Sequence, residues 1–415
     1  VTLQTEPARP HPRLSMAELV AFVAALMAMN ALSVDIMLPA FGQIAEDYAL
    51  ADPNRAQLVV VVYLGGFGIS QLFIGPLSDR FGRKGVLLIT LAAYAAAVLL
   101  NILAPSYDTL LAARFLQGVF AAGSRVIAVA LVRDLVSGRV MAKVMSMAMM
   151  VFMAAPILAP ALGQLILLGA GWRWIFGALL IIALIMIVWV SLRLPETLRE
   201  EDRQSLRPMG VARNYILALS NRVTLGYMIA SLFLFGGLFS FIVTAQQIMA
   251  VQYNLGEWFP LAFAGIAGVL AVANFVNSRL VTGLGMRRLS HAALIGFIAI
   301  SAIQSLLALF GPVGFVWFYL PLLGVMALFG LIGANFSALI MEPAAQRAGV
   351  TAAMQGAVTS SGSAVLGGII GAAYDGTILP LVLGNAILGA LALVAVAITE
   401  RGRLFTPSEA ELANL

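Results

Sequence analysis

Gly75-Pro76-Leu77-Ser78-Asp79-Arg80-Phe81-Gly82-Arg83-Lys84 separates two long apolar stretches, 56–76 and 86–104. Each stretch is long enough to cross ~30 Å of hydrocarbon at 1.5 Å per helical residue. The segment therefore reads as a short return between two membrane-crossing helices. Its glycines permit a tight turn, and its arginines and lysine favour one side of the membrane. Asp79 is the exception among these basic residues. It calls for a positive partner, either a helix N-terminus or Arg133 at the end of a later span.

Working outward in both directions, apolar runs recur at about 18–41, 56–76, 86–104, 108–132, 144–168, 174–194, 223–248, 258–281, 289–310, 315–341, 351–373 and 377–399. The composition agrees, with 61% hydrophobic and 10% charged residues and a mean hydropathy of +0.99. Soluble domains carry roughly 25% charged residues. A membrane β-barrel would alternate polar and apolar residues over segments of about ten. The fold class expected is an all-α membrane protein with twelve transmembrane helices. Placed on this frame, Arg55 and Arg173 fall on one side, Arg114 and Arg125 fall inside the fourth span, and the other 20 of 24 lysines and arginines share the opposite side. By the positive-inside rule both termini are cytoplasmic.

The one long polar interruption, 195–222, divides the spans six and six. The organisation expected is a disordered tail at 1–14, a six-helix bundle at 15–194, a linker at 195–222, a second six-helix bundle at 223–400 and a tail at 401–415. A second loop, Ser278-Arg279-Leu280-Val281-Thr282-Gly283-Leu284-Gly285-Met286-Arg287-Arg288, repeats the leucine, glycine and basic residues of the first in register, without its aspartate. Two parallel halves with a cargo site between them near the midplane is a recurrent transporter plan.

Several chemistries are excluded. There are no cysteines, hence no disulfides or thiolate chemistry. The two histidines, His11 and His291, are far apart, which argues against a metal site. Both lysines lack the following Ser or Thr of a phosphate-binding loop. No short apolar run with a small-residue cleavage site precedes the first span, which is expected to stay in the membrane. No cofactor is expected, and no nucleic-acid partner.

Apart from Arg279 near the cytoplasmic end of its span, the second half has no charge inside its spans. Asp35, in Leu32-Ser33-Val34-Asp35-Ile36-Met37-Leu38-Pro39, lies six residues before Phe41, and Arg114 lies six residues after Asp108. Both then sit ~9 Å below the same surface, where a pair is plausible; Asp35 as a solvated cap in the headgroups is the alternative. An intramembrane arginine costs roughly 2.5–3.5 kcal/mol even on the mild insertion scale, so Arg114 should face a cavity or a partner. Arg125, eleven positions further, returns to nearly the same face, with Gln117, Gly118 and Ala121 between. That stripe suits a cavity wall, and Arg125 suits an anionic or acceptor-rich cargo. Snorkelling towards the cytoplasm is its other reading. The second half offers uncharged candidates for the cargo cavity: Gln355 and Thr359 on one face, Asn335, Phe233 and Phe239. For any of these, bonding between helices is the safer reading.

Gly75 to Lys84 resembles the loop motif G-x-L-x-D-R-x-G-R-[KR] of the major facilitator superfamily. The resemblance implies that Gly75, Asp79, Arg80, Gly82, Arg83 and Arg133 latch the outward-facing state. Arg114-Phe115-Leu116-Gln117-Gly118 looks like the family's R-x-x-Q-G element, which is tied to proton coupling. Ala154-Ala155-Pro156-Ile157-Leu158-Ala159-Pro160-Ala161-Leu162-Gly163-Gln164 resembles its antiporter motif, with Ala159 and Gln164 in place of glycines. Together with Val132-Arg133-Asp134, Gly171-Trp172-Arg173-Trp174, Leu194-Pro195-Glu196-Thr197 and Ala348-Gly349, these features look like the bicyclomycin and chloramphenicol branch of the drug:proton antiporters.

The resemblance implies a proton-coupled exporter of small amphipathic compounds, expected to be monomeric and to sit in the bacterial inner membrane. Its partners would be cargo, protons and lipid, and Asp35 and Arg114 would carry the coupling. An importer or exchanger of organic anions using Arg114 and Arg125 is the first rival. A membrane receptor, enzyme or scaffold is remote, because the spans hold no catalytic cluster and the loop motif would be superfluous.

Overall fold

The computed structural model describes residues 15–136, 138–203 and 208–406. The tail expected at 1–14, part of the linker and most of the final tail lie outside the described residues. Among the described residues every regular element is helical. The first half comprises α1 (Met16–Asp35), α2 (Phe41–Asp47), α3 (Leu58–Phe81), α4 (Arg83–Ile102), α5 (Tyr107–Leu135), α6 (Gly138–Gly169) and α7 (Arg173–Arg193). A connecting helix α8 (Pro208–Leu219) follows. The second half comprises α9 (Arg222–Ala245), α10 (Phe259–Leu284), α11 (Met286–Leu309), α12 (Phe315–Met341), α13 (Ala348–Ala357), α14 (Ser363–Ala372) and α15 (Leu379–Thr399).

Among the described residues, eleven stretches are long and apolar enough to cross a membrane as single helices. The remaining stretch, expected at 351–373, is helical throughout but more polar in its middle, where α13 and α14 are joined by a π-helical turn at Val358–Gly362. A second π turn, Gln246–Gln252, extends α9. The first span also runs longer than expected. Beyond a break at Asp35 it continues through α2, so it ends at Asp47 rather than Phe41. Pro39 explains the break, because it has no N–H to offer the carbonyl of Asp35 four residues earlier.

Within the first half α3 packs along α5, α4 along α5 and α7, and α1 along α6 and α5. Within the second, α9 packs along α15 and α14, and α11 along α12 and α15. The halves meet where α3 lies against α13 and α14, and α6 against α10. Small residues bring the backbones close: a Cβ at Gly118 would collide with the carbonyl of Tyr63, and one at Gly68 with Ser361. The linker is not simply a polar spacer, since the Tyr215 hydroxyl of α8 donates to the carbonyl of Leu72 at 2.6 Å.

The two loops that echo each other in sequence also share a backbone conformation. Gly82 turns between α3 and α4 at φ 95°, ψ 152°, and Gly285 turns between α10 and α11 at φ 80°, ψ 156°. This region is essentially restricted to glycine. Gly82→Ala would strain that turn and push the Glu196 carboxylate away from its side. We expect Gly82→Ala to lose about 1–3 kcal/mol of stability, read as a lower unfolding temperature in detergent. Gly283→Ala, with open space and an ordinary φ, should leave that temperature unchanged or raise it.

Candidate functional site

Asp35 is the last residue of α1 and is buried, 5% exposed. Among the described residues its carboxylate has no hydrogen-bond or ion-pair partner, so the pair with Arg114 suggested by depth is not formed. Arg114 is nevertheless at the same level. It is fully buried and donates to the carbonyl of Ser33 at 3.1 Å, the carbonyl of Val59 at 2.9 Å and Gln117 Oε1 at 2.9 Å. Its guanidinium also lies 4.5 Å from the centre of the Tyr63 ring. The α1 break accounts for the first bond, because a helix end leaves carbonyls without intrahelical donors. Asp35, two residues on, points about 200° away around the helix and so misses the arginine.

Gln117 completes a polar core instead of lining a cavity. It accepts from Asn101 Nδ2 at 3.0 Å and donates to the Tyr94 hydroxyl at 3.1 Å, and that hydroxyl lies 2.7 Å from Ser33 Oγ. Gly118 is packed against α3. Both are therefore corrected: the small-residue stripe of α5 is an interhelical seam, buried because glycine there lets α3 approach. Asn335 is likewise an interhelical bond, 3% exposed and donating to Asn277 Oδ1 at 2.8 Å. Gln355 donates to Ser337 Oγ at 2.7 Å and accepts at its carbonyl from Thr359 Oγ1 at 2.7 Å. Phe233 and Phe239 are half-buried, and a Cβ at Gly367 would press on Phe239.

A cavity of about 820 Å³ opens between the halves on the face that carries the linker. Arg125, Asp79, Arg83 and Arg133 line it from the first half, Arg347 and Gly349 from the second. Arg125 is exposed to this space, with the ring centre of Phe67 5.9 Å from its guanidinium. It has no ion pair or hydrogen bond among the described residues.

On the opposite, far face the halves are joined by neutral side chains. Gln57 donates to Gln247, Gln247 donates to Asn54 Oδ1 at 2.7 Å, and Asn54 donates to the carbonyl of Tyr374 at 2.8 Å. Deeper, Ser361 Oγ donates to the carbonyl of Gly65 at 2.8 Å. Gln247 and Ser361 sit in the two π turns, where an extra residue per turn redirects side chains. The far face is closed and the linker face is open.

The loop cluster is built around Arg83, which bonds Asp79 at 2.6 Å, Asp134 at 3.0 Å and Ser78 Oγ at 2.6 Å. Glu196 caps the start of α4, accepting from the backbone N–H of Arg83 at 2.8 Å and of Lys84 at 3.2 Å. Arg133 is not the partner of Asp79; it lies 3.9 Å from Asp134 and is largely exposed. Gly75 meets no close neighbour, and Arg80 is exposed. In the second half Arg287 plays the part of Arg83, bonding Glu342 at 3.1 Å and Glu400 at 2.9 Å. Helix α6 continues unbroken through Pro156 and Pro160. Gly163 lies against α1, where a Cβ would strike the carbonyl of Ile36 beside Asp35.

The model of the Major Facilitator Superfamily matches residues 22–372. The chain belongs to the major facilitator superfamily. A bicyclomycin resistance protein homolog of Haemophilus influenzae is 31% identical over 367 residues, covering 88% of this chain and 90% of the relative. The uncharacterized MFS-type transporter YdgK of Bacillus subtilis is 30% identical over 396 residues, covering 92% and 94%. The multidrug resistance protein MdtL of Escherichia coli is 30% identical over 255 residues, covering 60% and 63%. The human organic anion transporter MFSD10 (TETRAN) superposes at a TM-score of 0.66 and 17% identity over 95% of this chain and all of that one. That last likeness shows the fold alone.

As a major facilitator, the chain is a transporter and not an enzyme. Sequence reasoning missed its far-face bridge, because Asn54, Gln57 and Gln247 look like ordinary polar residues at helix ends. The only cue is the weak one of amides on both sides of the six-plus-six division. Two outcomes test the geometry. Arg114→Lys cannot make the three bonds of a planar guanidinium, and should lose about 2–3 kcal/mol by thermal unfolding. In this cysteine-free chain, Gln57→Cys with Gln247→Cys should cross-link on mild oxidation, seen as a mobility shift on gels, and should stop transport until reduced.

Proposed function

We propose that the chain exports small amphipathic compounds from the bacterial cytoplasm in exchange for protons, as a monomer with its linker face in the cytoplasm. The observation that carries this is Asp35, a buried carboxyl without a partner at the break in α1. Ionisable groups at such depth characteristically serve ion pathways and proton relays. Cargo enters the open cavity from the cytoplasm. The bridge from Asn54 to Gln247 then parts, the linker face closes, and cargo leaves while Asp35 takes a proton from outside. Release of that proton inside resets the cycle.

The other residues have supporting parts in this reading. Arg114 does not accept the proton; it holds the Ser33 carbonyl and so fixes the segment that ends in Asp35. Gly163 lets α6 follow that segment closely, giving the antiporter-like motif a physical role without a break at its prolines. The loop cluster serves as the latch of the opposite conformation. Asp79 borders one side of the cavity mouth and Arg347 the other, and closure would bring them together.

The rival organic-anion exchanger loses one of its two residues, since Arg114 is buried with its bonds used. It keeps Arg125. The two readings differ in driving force. In proteoliposomes with an imposed pH gradient, Asp35→Asn should lower uphill transport at least about tenfold, the loss of the coupling group's protonation. Exchange of labelled for unlabelled cargo without a gradient should persist. Unchanged gradient-driven transport would remove Asp35 from the mechanism and leave the exchanger.

A further inference from the structure

Arg125 lies 18 residues beyond the start of α5 at Tyr107 and ten before its end at Leu135. At 1.5 Å per residue those are ~27 Å and ~15 Å, further than an arginine side chain can snorkel to either surface. The cavity's other charges are largely satisfied. Arg83 is held by Asp79 and Asp134, and Arg133 lies beside Asp134. Arg125 and Arg347 have no ion pair among the described residues. The cavity wall carries Arg83, Arg125, Arg133 and Arg347 against Asp79 and Asp134, an excess of two positive charges. Arg114, on the same helix, gives the contrast: its donors go to two carbonyls and an amide, while those of Arg125 face open space.

We propose that the cargo carries an acidic group, a carboxylate or a similar oxyanion, and that Arg125 binds that group while Phe67 backs the guanidinium. The proposal rests on the transport reading for direction and driving force; the binding chemistry stands on the cavity itself. A guanidinium presents a planar fork that matches two oxyanion oxygens. The Phe67 ring occupies one face of the fork and leaves its edges towards the cavity. Arg125 also couples binding to closure. When the linker face shuts, water leaves the cavity, and a bare cation there is costly. An anionic cargo removes that cost, so the loaded carrier closes more readily than the empty one. A neutral or cationic cargo of the same shape offers no such relief.

Fluorescein, an aromatic carboxylate, and rhodamine 6G, a cationic ester with a related ring system, make a matched pair of probes. Their binding to the full chain is measured by fluorescence polarisation in phosphatidylcholine nanodiscs. Fluorescein should bind saturably, with benzoate competing. Arg125→Ala should weaken it about tenfold or more, Arg125→Lys should weaken it less, and rhodamine 6G should bind no more weakly to either variant. Asp35→Asn should keep fluorescein binding while losing gradient-driven transport, which separates failure of this proposal from failure of the coupling. Acidic lipid shares the chemistry of the acid group. If phosphatidylglycerol in the disc abolishes fluorescein binding, the site belongs to a lipid headgroup and the proposal fails. It fails too if wild-type protein binds no fluorescein saturably, or if Arg125→Ala binds it equally well. Should Arg125→Ala aggregate, Arg125→Gln replaces it, and benzoate competition on the wild type still reads the site.

Discussion

The first half is organised around one buried guanidinium. Arg114 reaches the carbonyl of Ser33 on α1, the carbonyl of Val59 on α3 and Gln117 on its own helix. Tyr94 on α4, which bonds Ser33 on α1 and Gln117 on α5, continues the same network. A buried cation needs its donors satisfied, and only a particular arrangement of α1, α3 and α5 supplies those acceptors. The close seam at Gly118 and the break in α1 are both conditions for it. The break frees the Ser33 carbonyl, and the glycine lets α3 come near enough to offer Val59. Asp35 inherits its position from these constraints, ending a helix whose last turn is held by the arginine without being neutralised by it.

The second half is held differently. Its spans carry polar amides bonded to one another or to backbone, such as Asn335 to Asn277. An ion-pair cluster closes one end, where Arg287 joins Glu342 and Glu400. The π turns at Gln246–Gln252 and Val358–Gly362 lie on the surface that meets the first half. The interface between the halves is thus built from irregular backbone in one half and regular glycine-bearing helix in the other. The rocking cycle proposed above needs a surface of this kind, with contacts that can part without unfolding either half.

Much of this architecture is legible in the sequence, for physical reasons. Hydropathy and basic-residue bias are summed over twenty residues at a time, so they survive local irregularity. The loop motif survives because Gly82 must adopt a conformation few other residues reach, and Gly285 echoes it for the same reason. The site was less legible. Helical periodicity placed Arg114 and Arg125 on one stripe, but a stripe has no indication of what faces it. Here α3 covers Arg114 and Gly118 and α4 takes Gln117, and only beyond Phe67 does the seam open and expose Arg125. Asp35 shares the level of Arg114 but not its azimuth, because two residues of helix turn a side chain through about 200°. Glu196 capping α4 and the far-face amides were missed because their partners lie across more than a hundred residues of chain.

The far-face bridge has a consequence for how the carrier senses its surroundings. Gln57, Gln247, Asn54 and the Tyr374 carbonyl bear no net charge. Salt screens attraction between ions over about 8–10 Å but has little hold on amide dipoles in contact. None of these groups titrates in the physiological range. Acid or ionic strength at that face therefore gives the closed door no instruction of its own. Any response to pH or salt must reach it from charged groups elsewhere in the chain.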